Sequence, residues 1–278
     1  MKKEQPNAEQ LPSNGQMMNY NEYHFFKGEY LLYLMIFFVC GGAVGFIFYG
    51  NLFMEDGEPT LLSHISNVIV FASVGILAIR IFLPRRRKQL IVKQKSTLRL
   101  QFREMLAALS TAYLSGENTM SAFASAQKDM IAQFGDTSFI AVELTEIVTG
   151  IYNGGQIDEL LLDFGQRSGV EDINDFANIF QICQSKGGNM KEVVRNSYDL
   201  IGEKLSINDE IQTKITSNQM QQNIMSVVPI VMIAFLRFSS SAFAASFATL
   251  KGVIAMTVAA GIFIGSYLYG EKITDIKG

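Results

Sequence analysis

The chain has 278 residues, 49% of them hydrophobic and 18% charged. That charge fraction is below the roughly 25% usual in soluble domains, and a net charge of −3 gives no case for nucleic acid as a partner. Its two cysteines, Cys40 and Cys183, lie in unrelated contexts without metal-ligand spacing. They suggest neither a disulfide framework nor a zinc site, and each is read as a small buried hydrophobe.

In chain order, residues 1–28 are polar and are expected to form a disordered cytoplasmic tail. Residues 31–50, LLYLMIFFVCGGAVGFIFYG, carry no charge and match the about 20 residues that a helix needs to cross a bilayer. This run is too long for a leader's apolar region and lacks a small-residue cleavage site, so no removable signal is expected. The loop NLFMEDGEPT at 51–60 has three acids and no base, and a second apolar run follows at 61–83. Then PRRRKQLIVKQK places six basic residues within 85–95. The positive-inside rule puts this segment in the cytoplasm, and with it both termini, which carry Lys2, Lys3, Lys27, Lys272 and Lys277. Arg85, Arg86, Arg87 and Lys88 are read as the membrane anchor, with a specific anionic-lipid site as the sharper alternative. Arg80 can snorkel to the headgroups, and His64 is read as an interface residue.

Residues 85–222 read as one cytoplasmic domain. Leu98, Phe102, Met105, Leu106, Leu109 and Tyr113 fall on one helical face, as do Ile140, Leu144, Ile147, Val148 and Ile151. Val170, Ile173, Phe176, Ala177, Phe180 and Cys183 make a third stripe. No single helix can hide such a stripe, so the helices must pack as a bundle. Between them the segment NGGQIDELL at 153–161 aligns with KGGNMKEVV at 186–194, and GENTMSAFA at 116–124 echoes both, with Met120 in the place of Ile157 and Met190. Gly116, Gly154, Gly155, Gly187 and Gly188 are expected to close helices in left-handed turns, and Asn118 and Asn189 to open the next ones. Six antiparallel helices result, near 97–114, 118–134, 138–152, 156–167, 170–186 and 189–222, the last running on into the membrane with Gly202 as a weak point. A tetratricopeptide-like solenoid has a similar repeat length, but its signature residues are missing.

Two further apolar runs, 224–247 and 253–269, complete an expected four transmembrane helices. Arg237 lies within the third run, where a charge at mid-membrane would cost about 2.5–3.5 kcal/mol on insertion scales. It is therefore placed at the exoplasmic boundary, with 238–250 as an interfacial turn and an intramembrane functional charge as the alternative. The fold class is all-α, a polytopic membrane protein with a cytoplasmic six-helix bundle. Its expected parts are the tail 1–28, a membrane pair 29–84, the bundle 85–222, and a second membrane pair with a short tail at 223–278.

Catalytic patterns are missing. There is no phosphate-binding glycine loop, and His24 and His64 complete no nucleophile or metal constellation, so no cofactor is expected. The pairs Glu143/Glu146 and Asp172/Asp175 are read as the wet faces of amphipathic helices. Asp158, Glu159, Asp163, Glu171, Asp172 and Asp175 form a denser acidic run, a candidate docking surface for a protein partner.

The run DFGQRSGVEDINDFANIFQICQSKGGNMKEVV at 163–194, continuing through RNSYDLIGEKL, resembles the F-domain family of type II secretion systems. In particular it resembles the tight-adherence pilus assembly proteins of the TadB type. The tail KGVIAMTVAAGIFIGSYLYGEKITDIKG is similar to the family's final span, and the likeness covers roughly 95–278. It implies a non-enzymatic platform protein in the bacterial inner membrane. Such a protein couples a cytoplasmic secretion ATPase to pilin or prepilin, beside a paralogous platform protein and as a homo- or hetero-oligomer. The acidic run would then be the docking surface for the ATPase. The rival from another class is a small transporter or channel with a helical regulatory domain, which would need convergent polar groups at mid-membrane.

Overall fold

The computed structural model describes residues 17–50, 54–55, 58–59, 61–239, 246 and 249–274. Helices dominate: α1 (Lys27–Tyr49), α2 (Leu61–Leu114), α3 (Thr119–Phe134), α4 (Phe139–Tyr152), α5 (Ile157–Ser168), α6 (Glu171–Lys186), α7 (Met190–Ser239) and α8 (Leu250–Thr274). Between α1 and α2 a two-residue antiparallel ladder joins β1 (Met54–Glu55) to β2 (Glu58–Pro59), with Met54 opposite Pro59. Two compact units divide the chain. One holds Arg87–Ile207 with the described residues before Phe25, and the other holds the described residues of Phe25–Arg86 and Asn208–Gly278.

The first unit is an up-and-down bundle. Helix α3 packs on α4, α4 on α5, and α5 on α6. The stripes named from periodicity line its core: Leu98, Phe102, Met105, Leu106 and Leu109 are fully buried, as are Ile140, Leu144, Ala177 and Phe180. Aromatic edges interlock there, with Phe102 against Phe176 at 5.5 Å and Phe123 against Phe180 at 6.0 Å between ring centroids. Tyr20 is also fully buried in this core, so the polar tail expected over 1–28 is wrong for its described end. Residues 1–16 lie outside the described residues.

Three turns share one construction. Gly116, Gly154 and Gly187 have φ of 86°, 88° and 72°, a conformation glycine adopts without steric cost. The next N–H then reaches back five residues: Glu117 to the Ala112 carbonyl, Gly155 to Gly150, and Gly188 to Cys183, at 3.1, 2.9 and 2.8 Å. This is the Schellman closure, which satisfies a carbonyl that the helix end leaves open. Asn118 then caps α3 through its side chain, which accepts from the Ser121 N–H at 2.9 Å. At Asn189 the main-chain carbonyl accepts from Glu192 and Val193. Each glycine stands three residues before its helix, so Thr119, not Met120, corresponds to Ile157 and Met190. Met120 is accordingly 39% exposed, whereas Ile157 is 7% exposed. Gly135 and Gly169, with φ of 89° and 57°, serve the other two turns.

The long helix α2 does not break where a boundary was expected. The helix expected to start near 97 is the last third of α2, which passes through Pro84 and the basic run. Proline costs a helix interior about 3 kcal/mol, but the run that follows, Arg85 to Leu90, consists of strong helix formers and no glycine follows before Gly116. Likewise α7 continues through Gly202 and Pro229. A Cβ on Gly202 would approach Nε of Arg103 to 3.0 Å, so this glycine admits a guanidinium from α2 rather than marking a break.

In the second unit, α1 and α2 cross closely. A Cβ on Gly45 would stand 2.9 Å from the Val74 side chain, and one on Gly75 2.7 Å from Phe38. Gly41 and Gly45, four residues apart, let the two backbones approach as small residues do in membrane helix pairs. Arg237 donates to the carbonyls of Ile47 and Gly50, which terminate α1. A cation thus satisfies carbonyls that would otherwise have no partner. Cys40 is exposed on α1 rather than buried, whereas Cys183 is buried. Among the described residues three helical stretches are long and apolar enough to cross a membrane: Lys27–Tyr49, the apolar part of Leu61–Leu114, and Met220–Ser239. The apolar stretch Lys251–Ser266 is shorter. Most of the turn expected at 238–250 lies outside the described residues.

Candidate functional site

The acidic run has a local cause before any functional one. Asp158 and Glu159 occupy the first turn of α5, and Glu171 and Asp172 that of α6. Carboxylates there meet the positive end of the helix dipole and the open N–H groups. Because α5 and α6 pair as an antiparallel hairpin, the two groups sit at opposite ends of the bundle. The twelve residues of α5 separate them by about 18 Å at 1.5 Å per residue. The run is therefore not one patch.

Asp172 does not face solvent. Its side chain is 2% exposed and lies 2.7 Å from Nε of Arg99 and 2.6 Å from Nζ of Lys204. One carboxylate thus ties α6 to α2 and α7. Bonding to Asp172 raises the Lys204 pKa. Asp163 pairs with Arg167 one turn away at 2.6 Å. Glu159, Glu171 and Asp175 are exposed and Asp158 is half-buried.

Glu143 is a second buried acid, against its reading as part of a wet face. Arg167 grips it with two bonds, 3.0 Å to Oε1 and 2.8 Å to Oε2. Burial acts to lower the Arg167 pKa, but Glu143 and then Asp163 outweigh it and the net shift is upward. The Tyr20 hydroxyl donates to Glu143 Oε1 at 2.9 Å. Burial, followed by the Glu143 charge, pushes the Tyr20 phenol well above its ordinary range.

The alternation of helix direction collects the turns 115–118, 153–156 and 187–189 at one end. A shallow depression of about 250 Å³ there is lined by Thr119, Met120, Gly155, Gln156 and Gln184, among others. Glu159 lies beside it in sequence. The turns 135–138 and 169–170 lie at the other end. Lys95 donates there to the Gly169 carbonyl at 3.1 Å.

Of the basic run, Arg86 lies over the Tyr33 ring at 5.4 Å and donates to its hydroxyl. Arg87 donates to the Tyr23 carbonyl at 3.1 Å. Among the described residues no group of three His, Cys, Asp or Glu gathers as metal ligands.

Sequence reasoning missed Tyr20, Arg99, Arg103, Arg167 and Lys204. A signal did exist for the buried acids. Glu143 stands three residues after Ile140 and four before Ile147, and Asp172 four before Phe176, so both lie on the apolar stripes.

Comparison with known families adds one finding. Residues 105–237 match the family model described as Type II secretion system (T2SS), protein F. No match was found among curated proteins or among solved structures.

Proposed function

We propose that this chain is a membrane platform protein of a pilus-assembly or secretion machine, of the tight-adherence type, without enzymatic activity of its own. The observation that carries this is the extent of the family match, from Met105 in α2 to Arg237 in α7. It takes in the bundle from Met105 onward and continues through α7 into an apolar stretch fit to cross a membrane.

In this reading the bundle is cytoplasmic, both termini lie on the same side, and α8 supplies a fourth span. A secretion ATPase engages the bundle, and its stroke reaches the membrane through α7, where pilin subunits are handled beside a paralogous platform protein. Docking falls to the acids that reach the surface: Glu159, with the half-buried Asp158, at the glycine-turn end, or Glu171 and Asp175 at the other. Asp172 is engaged in holding the bundle, and Asp163 in pairing with Arg167 on its own helix.

The test is to insert two or three glycines beside Gln221 in α7. Membrane insertion and ATPase co-purification should persist while filament assembly stops. Normal assembly by that variant would remove the lever. Failure of the wild-type chain to co-purify with an ATPase or a pilin would remove the platform reading.

A further inference from the structure

Residues 17–24 lie on the bundle as a strap that turns at Tyr20 and Asn21, where the Glu22 N–H donates to the Asn19 carbonyl at 3.4 Å, and two residues separate it from α1. Tyr20 is its plug. The ring is fully buried, meets Phe139 edge-on at 5.6 Å, and hydrogen-bonds Glu143. The backbone is held as well: the Tyr20 N–H donates to the Arg167 carbonyl at 3.2 Å, and Arg167 donates to the Met18 carbonyl at 3.0 Å. Lys95 donates to Asn21 at 2.7 Å.

We propose that this strap is a reversible latch, and that the pocket formed by Phe139, Glu143 and Arg167 is its receptor. Two features make the docking reversible. First, the receptor is satisfied without its guest. Glu143 keeps both bonds from Arg167, and Arg167 keeps Asp163, so withdrawal of Tyr20 orphans no buried charge, the costly outcome for such groups. Second, Tyr20 is the one fully buried anchor, with Met18 half-buried against the core, while Asn19, Asn21 and Glu22 are exposed. Segments with few buried apolar groups open independently of the core beneath them. Docked, the strap pins the chain that leads into α1 to the α4–α5 face. Undocked, it releases that chain and bares Phe139 and the receptor. This inference does not depend on the platform reading.

Hydrogen exchange on the full chain in nanodiscs, followed by mass spectrometry, tests it without reference to secretion. In the wild type the strap should exchange more slowly than an unstructured peptide, yet faster than α4 and α5. Tyr20→Phe removes one bond to a charged acceptor and should speed strap exchange roughly tenfold. Tyr20→Ala should abolish its protection, with α4 and α5 unchanged in both variants. Two results would overturn the latch: wild-type exchange at the unstructured rate, or strap, α4 and α5 exchanging together as one unit. A Tyr20→Ala variant that does not fold would likewise show that the strap is an integral part of the core, and Tyr20→Phe then reports whether the receptor bond exists.

Discussion

Replacing Asp172 by Asn should destabilise the bundle far more than any other change in the acidic run. The carboxylate is 2% exposed and holds two cations, Arg99 at 2.7 Å and Lys204 at 2.6 Å. At an effective dielectric of 20 each contact is worth about 6 kcal/mol of gross Coulomb attraction, most of it offset by desolvation. Removing one member of a buried pair typically costs about 3–5 kcal/mol, because the partner is left uncompensated. Arg99 is 25% exposed and Lys204 41%, so both can turn to water, and the expectation falls to about 2–3 kcal/mol after that discount. For a unit of this size that is a drop of roughly 8–12 °C in Tm. The chain has no Trp and 10 Tyr, so near-ultraviolet circular dichroism of tyrosine in detergent is the suitable assay. Asp175→Asn, on an exposed residue of the same helix, is the control and should shift Tm by less than about 2 °C. Equal small shifts for both variants would refute the buried triad. Reversing Glu171, Asp172 and Asp175 together would confuse docking with folding, so Asp172 has to be left intact in any test of ATPase binding.

Three further outcomes are expected. Gly154→Ala and Gly187→Ala meet open space, so their cost is the left-handed backbone alone, about 1–2 kcal/mol each, read as lowered Tm. Gly41→Leu should force α1 and α2 apart, because a Cβ there overlaps that of Ala78; a loss of about 1–3 kcal/mol should appear as a lower Tm in detergent, with Gly28→Ala, facing open space, as the neutral control. Finally, the phenol of Tyr20 and the ammonium of Lys204 are both raised above their ordinary 10.0 and 10.5. Their contribution is complete below those values and is lost as pH climbs through the higher folded ones, so Tm should hold to about pH 9.5 and fall beyond pH 10, less steeply in Tyr20→Phe.

The helices of the bundle were legible because each signal is local. A stripe at 3.6-residue spacing and a glycine after it are both written within about 20 residues, and the expected bounds of α3 to α6 lie within a residue or two of those seen. The unbroken α2 was not legible in the same way. Proline and four adjacent cations read as punctuation, yet the helix continues because the run that follows consists of strong helix formers.

The polar residues inside the bundle show where local reading stops. Glu143 and Asp172 sit in stripe positions, and periodicity alone says that they point inward. What makes an inward carboxylate tolerable is a cation from another helix: Arg167 of α5 for Glu143, and Arg99 of α2 with Lys204 of α7 for Asp172. The separations are 24, 73 and 32 residues in sequence, beyond any window in which charge patterning is read. The same holds for Tyr20, whose acceptor lies 123 residues away. An acid on an apolar stripe therefore signals a distant basic partner, and counting it with its exposed neighbours as a docking patch merges two different physical roles. Removing Asp163 and Asp172 from that patch leaves two small acidic groups at opposite ends of the bundle. Only one of these, Asp158 and Glu159, adjoins the three glycine turns, so reversing each pair separately tells which end an ATPase would grip.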